Sequence, residues 1–300
     1  MTRVRYEEIQ SASALNRVHG MDFRWSLNPY QGCVHGCHYC FARRYHLLRD
    51  MTAGGDFTGV ISIKTNIPEL LVKELSRPSW KYETVAVGTS TDPYQPIEGA
   101  RRLTRRCLQA FADRGSPVGV VTKGTMVVRD RDVLADLSAW GGGTVCISIT
   151  TLDLDLWRRL EPGTAPPAQR LRAVEMLVKA GVNAGVLVAP IIPGMTDGLS
   201  NLSAVAKAAS DHGARFLGGS TLYLKEGTKE HFLEFLNAEY PALARSYGRL
   251  YPGAYAPRRV QDRVEGIMHK LKRVNGLLDR RFAGSRNPAR GQMRLQIWSV

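Results

Sequence analysis

Short apolar runs alternate with amphipathic stretches along most of this chain of 300 residues. The runs are rich in valine and isoleucine, which is typical of strands buried on both faces of a sheet. Strands are predicted at residues 23–27, 84–88, 118–122, 144–149, 182–189 and 216–224. Apolar positions spaced by three and four residues predict helices at 70–75, 105–114, 130–140, 167–180 and 199–212. This alternation of strand and helix indicates a parallel sheet covered by helices.

Six strand–helix units are fewer than the eight of a complete (β/α) barrel. The pattern therefore leaves a partial barrel or an open doubly wound sheet, both of the α/β class. In either fold, functional side chains gather beyond the C-terminal ends of the strands. Along the chain we expect an N-terminal extension at 1–22, the α/β unit at 23–228, and a basic helical extension with a tail at 229–300.

Three cysteines stand close together after the first predicted strand. They are Cys33, Cys37 and Cys40, and Tyr39 directly precedes the third. Three thiolates on one short loop can hold three irons of a cubane cluster, whereas the common arrangement supplies four cysteines. The fourth iron would then be free to bind another molecule. The spacing therefore predicts an iron–sulfur cluster with an open iron site.

A zinc site and structural disulfides are the alternatives for this loop. Zinc prefers four ligands, and His35 or His38 would complete the set. Disulfides form in oxidising compartments, but the sequence begins without the apolar segment of a secretory signal. The five cysteines are an odd number, and Cys107 and Cys146 stand alone. We therefore expect a metal site in a cytoplasmic protein, and no apolar run is long enough to predict a membrane span.

Polar side chains follow the ends of several predicted strands. They are Thr89, Ser90, Lys123, Ser148, Thr150, Thr151 and Glu161. Gathered on one rim, such groups would suit a zwitterionic ligand, whose carboxylate would bind Lys123 and nearby hydroxyl groups. Each residue alone also has an ordinary structural role, since Ser and Thr at strand ends often cap the next helix. Their joint placement favours a binding site.

Basic residues are concentrated towards the C-terminus. The chain has a net charge of +14, and residues 245–300 contain thirteen Lys or Arg against three Asp or Glu. Such a segment is typical of proteins that bind nucleic acid or another polyanion, although solvated arginine-rich helices are also common. The residues that we expect to contact phosphates are Arg258, Arg259, Arg263, Lys270, Lys272 and Arg273.

Several of these segments together resemble the radical S-adenosylmethionine (SAM) superfamily, and its spore photoproduct lyase-like branch in particular. The similarity extends over residues 28–224. It rests on Pro29-Tyr30-Gln31-Gly32-Cys33 with the cysteine spacing, on Thr91-Asp92-Pro93-Tyr94-Gln95-Pro96-Ile97-Glu98, on Val121-Thr122-Lys123, and on Glu161-Pro162-Gly163-Thr164 leading to Arg170. The resemblance implies a partial (β/α)6 TIM-like barrel.

The resemblance also implies two cofactors and their contacts. The three clustered cysteines would ligate a 4Fe–4S cluster, and SAM would bind the fourth iron through its amine and carboxylate. The residues placed around SAM are Tyr39, Lys123, Ser148, Thr89, Ser90, Glu161 and Arg170. Among them, Tyr39 would lie along the adenine, while Lys123 and Ser148 would hold the carboxylate.

The implied activity is reductive cleavage of SAM to a 5′-deoxyadenosyl radical, which takes hydrogen from a substrate after a reductant partner has supplied an electron. Photoproduct lyases carry a hydrogen-donating cysteine in the loop after the second strand, whereas this chain has Thr89 there. A hydroxyl cannot replace that thiol, because its O–H bond is much stronger. We therefore expect another reaction, with nucleic acid as the favoured substrate, and Cys146 and Tyr94 remain as candidate catalytic residues.

The alternative from another functional class is a non-catalytic nucleic-acid-binding protein with a zinc or structural iron–sulfur centre. It would explain the cysteine loop and the charge, but not the strand–helix alternation or the polar strand ends. Metal content discriminates against the zinc form, since the cluster brings about four irons and four sulfides per chain and the zinc site brings one zinc. The form with a structural iron–sulfur centre predicts no cleavage of SAM even under strong reductant.

Overall fold

The computed structural model of the chain describes residues 4–21 and 23–278. Its strands are β1 (Arg5–Ile9), β2 (Asn16–Arg17), β3 (Trp25–Leu27), β4 (Tyr30–Gln31), β5 (Val60–Lys64), β6 (Val85–Val87), β7 (Val118–Thr122), β8 (Gly143–Ser148), β9 (Ala184–Ile191) and β10 (Leu217–Thr221). Its helices are α1 (Arg44–Leu47), α2 (Gly55–Gly59), α3 (Ile67–Leu75), α4 (Glu98–Arg101), α5 (Leu103–Asp113), α6 (Arg131–Ala139), α7 (Leu154–Leu160), α8 (Pro167–Lys179), α9 (Leu199–Asp211), α10 (Thr228–Glu239), α11 (Pro241–Leu250) and α12 (Arg258–Val274). Within the described ranges, no helix combines the length and the apolar character needed to span a bilayer.

Six parallel strands form the centre of the fold. They lie side by side in the order β3, β6, β7, β8, β9 and β10, and the short β2 pairs antiparallel with β3 at one edge. Helices connect successive strands and cover the outer face of the sheet. The fold is a partial (β/α)6 barrel of the TIM type, which confirms the prediction of six strand–helix units.

The parallel strands bury both of their faces, which explains their continuous apolar composition. On β8, Val145 and Ile147 pack in the same core as Leu137 of α6. Successive side chains of a strand point to opposite faces. Cys146 and Ser148 therefore point into the barrel, where both are buried.

A second, three-stranded sheet is absent from the sequence-based prediction. In it, β5 pairs in parallel with β1 and antiparallel with β4. The segment Val60–Lys64 has the β-branched composition of a strand, but β4 is only two residues long and β1 has few apolar positions. Because β4 ends two residues before Cys33, this sheet fixes the start of the cysteine loop.

Both ends of the described chain pack on the barrel. Residues 4–21 supply β1 and β2. Helix α12 packs against β10 and α9 and buries Val264, Met268 and Leu271. Gly219 on β10 permits this close approach, because a Cβ there would lie 2.9 Å from Met268 Cε. The tail expected at the C-terminus lies beyond residue 278, outside the part of the chain that the structure describes.

Truncating Met268 to alanine is expected to lower the free energy of unfolding by about 2–5 kcal/mol, because it leaves a cavity between α12 and β10. Lys270→Ala, on the exposed face of the same helix, is the control and should change it by less than about 0.5 kcal/mol. Urea denaturation followed by circular dichroism measures both. Equally small effects of the two variants would contradict the packing of α12 on the barrel.

Candidate cofactor site at the cysteine loop

The three clustered cysteines lie on one loop that follows β4, at the C-terminal edge of the parallel strands. Cys33 and Cys37 are buried and Cys40 is half-buried. Burial and the neighbouring thiols raise the pKa of both Cys37 and Cys40. Buried thiols that oppose one another's ionisation need a positively charged partner to become thiolates together. The donor set therefore fits the predicted iron–sulfur cluster.

Both histidines of the loop are engaged by other parts of the chain. His35 Nδ1 lies 3.2 Å from Asp92 Oδ2. His38 Nδ1 lies 3.2 Å from His231 Nε2, and its ring stacks on Phe235 with 4.2 Å between the ring centroids. Across residues 4–21 and 23–278, no three His, Cys, Asp or Glu side chains converge as they would around a single metal ion. For the zinc alternative, one of these two histidines would have to exchange its present contact for the metal.

The segment after β6 binds the first half of the cysteine loop. The Thr91 hydroxyl donates to Gly32 O at 2.6 Å, and Gln95 Nε2 donates to the same oxygen at 3.1 Å. Gln95 Oε1 in turn accepts from Val34 N at 3.3 Å. Two side chains thus satisfy backbone groups on both sides of Cys33.

Asp92 connects the same segment to the end of β7. Its carboxylate accepts from the Thr122 hydroxyl at 2.6 Å and from Lys123 N at 2.7 Å. Burial alone would raise the pKa of Asp92, but His35 and these donors hold it below its usual range. The ionised carboxylate therefore fixes the position of Lys123 relative to the loop.

The turn after α7 supports the second half of the cysteine loop. Gly163 N donates to His35 O, and His38 N donates to Leu160 O, both at 3.0 Å. A Cβ on residue 163 would lie 2.3 Å from Val34 O. Only glycine permits this contact between the two backbones.

A buried ion pair joins Glu161 and Arg170. Glu161 accepts from the Tyr39 hydroxyl and, at 2.9 Å, from the Thr150 hydroxyl. Arg170 also donates to Ser148 O at 2.9 Å. Although burial alone would raise the pKa of Glu161, the Arg170 guanidinium holds it below the usual range. We expected both residues among the SAM contacts. In the structure, the polar groups of Glu161 and Arg170 are bound to other parts of the protein. These bonds position Tyr39 and the end of β8.

The remaining predicted SAM contacts lie around the same loop. Lys123 Nζ is 5.4 Å from the centroid of the Tyr39 ring. Ser148 ends β8 inside the barrel, and Thr89 and Ser90 are half-buried just after β6. The structure therefore brings these residues together at the C-terminal edge of the sheet.

The two candidate catalytic residues lie in different places. Tyr94 lies in the core between the sheet and the helices, where its hydroxyl donates to Asp130 Oδ2 at 3.0 Å. This is a packing role, away from the barrel interior. Cys146 faces the interior, and burial raises its pKa to about 12, so it is a protonated thiol at neutral pH.

Arg43 belongs to the site but is missing from the sequence-based prediction. Its side chain is 2% exposed, and it donates to Gly36 O at 2.7 Å and to Cys37 O at 2.9 Å. Arginine is seldom fully buried, and no pattern in the sequence marks this one. Its position just after the third cysteine is the only available signal.

The predicted phosphate contacts lie on α12, on the outer side of the barrel. The exposed members are Arg258, Arg259, Arg263, Lys270 and Arg273, and Lys272 is half-buried. Arg258 forms an ion pair with Asp262 at 2.9 Å, and Arg263 pairs with Asp197 after β9. The basic residues therefore lie on the helix that covers β10 and α9, and two of its arginines have acidic partners.

Sequence comparison links this chain to one family. The family model described as Radical SAM superfamily matches residues 27–206. An uncharacterised protein of Mycobacterium tuberculosis is 35% identical over 294 residues, which cover 95% of this chain and 84% of the relative. A radical SAM Nα-GlyT isomerase of Pseudomonas phage M6 is 27% identical over 171 residues, which cover 56% of this chain and 33% of the relative.

Structural comparison gives the same fold. The spore photoproduct lyase complexed with dinucleoside spore photoproduct superposes with a TM-score of 0.68 at 16% sequence identity. The match covers 93% of this chain and 80% of the lyase. At this identity the likeness shows the fold alone.

Separating Glu161 from Arg170 is expected to destabilise the protein strongly. Glu161→Gln or Arg170→Met alone should cost about 3–5 kcal/mol, because each leaves a buried charge without its partner. The double variant should cost less than the sum of the single variants. Urea denaturation of all three, anaerobically and without added metal, measures the coupling.

The matched control is the exposed pair of Arg158 and Asp155 on α7. Its separation should change the free energy of unfolding by less than about 1 kcal/mol. Additive effects at Glu161 and Arg170, as small as those of the control, would contradict the role of the buried pair.

Proposed function

Since this chain belongs to the radical SAM superfamily, we propose that Cys33, Cys37 and Cys40 hold its 4Fe–4S cluster and leave one iron open for SAM. The cluster and SAM are the cofactors of this superfamily and of this chain. The observation that carries the ligand assignment is the position of three buried or half-buried thiols on one loop at the C-terminal edge of six parallel strands. When bound, the reduced cluster and SAM supply a 5′-deoxyadenosyl radical that takes hydrogen from a substrate.

The residues beside the loop have the chemistry needed to hold SAM. Lys123 and the Ser148 hydroxyl bind the carboxylate, and Tyr39 lies along the adenine. Cys37 and Glu161 favour the charged form of Lys123, although burial opposes it. Because the Tyr39 hydroxyl donates to Glu161, the orientation of the ring is set before SAM arrives. Thr89 and Ser90 complete this rim.

We propose nucleic acid as the substrate class. The net charge of +14 and the exposed cations of α12 support a polyanionic partner. The lyase with the same fold was solved with a dinucleoside, which supports the same class of substrate. Phosphates would contact Arg259, Lys270 and Arg273 first, because Arg258 and Arg263 already have acidic partners.

The reaction proposed here is a hydrogen abstraction that differs from photoproduct repair. The half-buried Thr89 follows β6 where the lyases carry a thiol, so the substrate radical needs another hydrogen source or rearranges. The related phage isomerase is named for a reaction other than cleavage. No two of the five cysteines, all of which the structure describes, form a disulfide bond, which fits the reducing, cytoplasmic compartment that we propose. A reductant partner supplies the electron.

Anaerobic reconstitution with iron and sulfide, followed by SAM and dithionite, is expected to yield 5′-deoxyadenosine. Cys37→Ala should abolish the product, because it removes one of the three ligands. Cys107→Ala is the matched control, since this buried cysteine on α5 lies far from the loop in sequence and should leave the yield unchanged. Product that does not depend on Cys37, or zinc in place of iron in the purified chain, would contradict the proposal.

The affinity of the chain for a short single-stranded DNA is expected to fall steeply with salt. Replacing Arg259, Lys270 and Arg273 with glutamine should reduce the slope of log K against log salt concentration by about 2, since each phosphate contact contributes about 0.7. Fluorescence anisotropy across a salt series measures the slope. The control replaces Arg158, Lys179 and Lys207, which are exposed cations of other helices. An equal change in both triple variants would contradict the assignment of α12.

A further inference from the structure

The guanidinium of Arg43 is buried between the cysteine loop and the turn that precedes α2. Nε donates to Cys37 O at 2.9 Å, and Nη2 donates to Gly36 O at 2.7 Å. Nη1 donates to Ala53 O at 2.8 Å and to Gly54 O at 3.3 Å. All three nitrogens of the side chain therefore bind backbone oxygens, and two of those oxygens belong to the cysteine loop.

Phe57 closes this pocket from the other side. The guanidinium carbon of Arg43 lies 4.7 Å from the centroid of the Phe57 ring. Phe57 packs against Cys33 and Ala42, and Phe57 O accepts from Cys33 N at 2.9 Å. Arg43 therefore contacts Phe57, which in turn contacts Cys33. Through this ring and through its bonds to Gly36 O and Cys37 O, one charged side chain supports the loop near its first and second cysteines.

The charge of Arg43 lies within electrostatic reach of all three cysteine thiols. Lys123 also interacts with Cys37, and its amine lies 5.4 Å from the centroid of the Tyr39 ring, where we place the SAM carboxylate. Arg43 directs four of its five N–H donors to backbone carbonyl groups, so the guanidinium cannot turn to a ligand without breaking these bonds. Its positive charge therefore acts on the cysteine ligands and on whatever they hold.

We propose that Arg43 is the positioning residue of the cluster site, with two separable effects. Its planar fork of donors holds the carbonyls of the cysteine loop in place before metal binds, which a lysine cannot reproduce. Its charge stabilises the reduced, more negative state of the cluster and so raises the reduction potential. The inference rests on the ligand assignment proposed above, but on neither the substrate nor the reaction.

Two substitutions separate the effects. Arg43→Lys keeps the charge and loses the fork, and Arg43→Met loses both. Both variants, reconstituted anaerobically, should release iron to a chelator about tenfold faster than the wild-type chain, in line with other residues that orient metal ligands. Only Arg43→Met should shift the reduction potential, measured by electron paramagnetic resonance during redox titration, to a more negative value.

Arg44→Met is the matched control, because this neighbouring half-buried arginine contacts the Tyr45 ring and makes none of the contacts to the loop carbonyls described for Arg43. The inference would be overturned if Arg43→Met and Arg44→Met released iron at the same rate and had the same reduction potential. If Arg43→Met loads no cluster, the test relies on Arg43→Lys. Iron release from Arg43→Lys at the wild-type rate would then overturn the role of the fork. A wild-type chain that loads no cluster would instead overturn the assignment of the three cysteines.

Discussion

The constraint on which the site depends is the satisfaction of buried backbone groups in a loop without regular secondary structure. From Gly32 to Cys40 the chain is largely buried, yet it forms no helix or strand whose own ladder would pair its amides and carbonyls. A buried and unpaired backbone group costs as much as a lost hydrogen bond, so these partners must come from elsewhere. They come from four directions: Thr91 and Gln95 after β6, Phe57 O of α2, the turn that ends in Gly163 after α7, and Arg43 from the chain that follows the loop.

This requirement explains why most charges near the loop are buried in pairs. Glu161 and Arg170 neutralise each other, and Asp92 lies against His35. Paired charges of this kind bring little net stability, but they fix geometry, because removing one partner leaves the other without compensation. The pairs therefore act as positioning elements for Tyr39 and Lys123, and they are not themselves free to bind a ligand.

The sequence was sufficient for the central fold because each parallel strand carries a continuous apolar run, and buried strands need that composition wherever they stand. The assignment of the ligand loop stays a prediction, and it rests on the cysteine spacing, which has little meaning outside metal binding. The small sheet of β1, β5 and β4 was missed, since its strands gain their partners through tertiary contacts that leave a weak local pattern. Tyr94 and Arg43 show the same limit of sequence-based prediction. Tyr94 was a candidate catalytic residue, but its side chain packs in the core. Arg43 was not a candidate, but in our interpretation it is essential to the loop. Whether a polar side chain faces the core or the site depends on neighbours that are distant in sequence.

Hydrogen bonds within the protein distinguish the side chains that only support the site from those that keep polar atoms available to another molecule. All three side-chain nitrogens of Arg170 donate to groups of the protein. Such a side chain cannot bind another molecule without breaking buried hydrogen bonds. Groups that remain half-buried at the rim, such as Thr89 and Ser90, and exposed side chains beyond the strand ends keep polar atoms available to another molecule. The buried thiol of Cys146 lies two residues before Ser148 on the same face of β8. Because Ser148 ends the strand, Cys146 lies deeper in the barrel, behind the hydroxyl groups that the strand ends present.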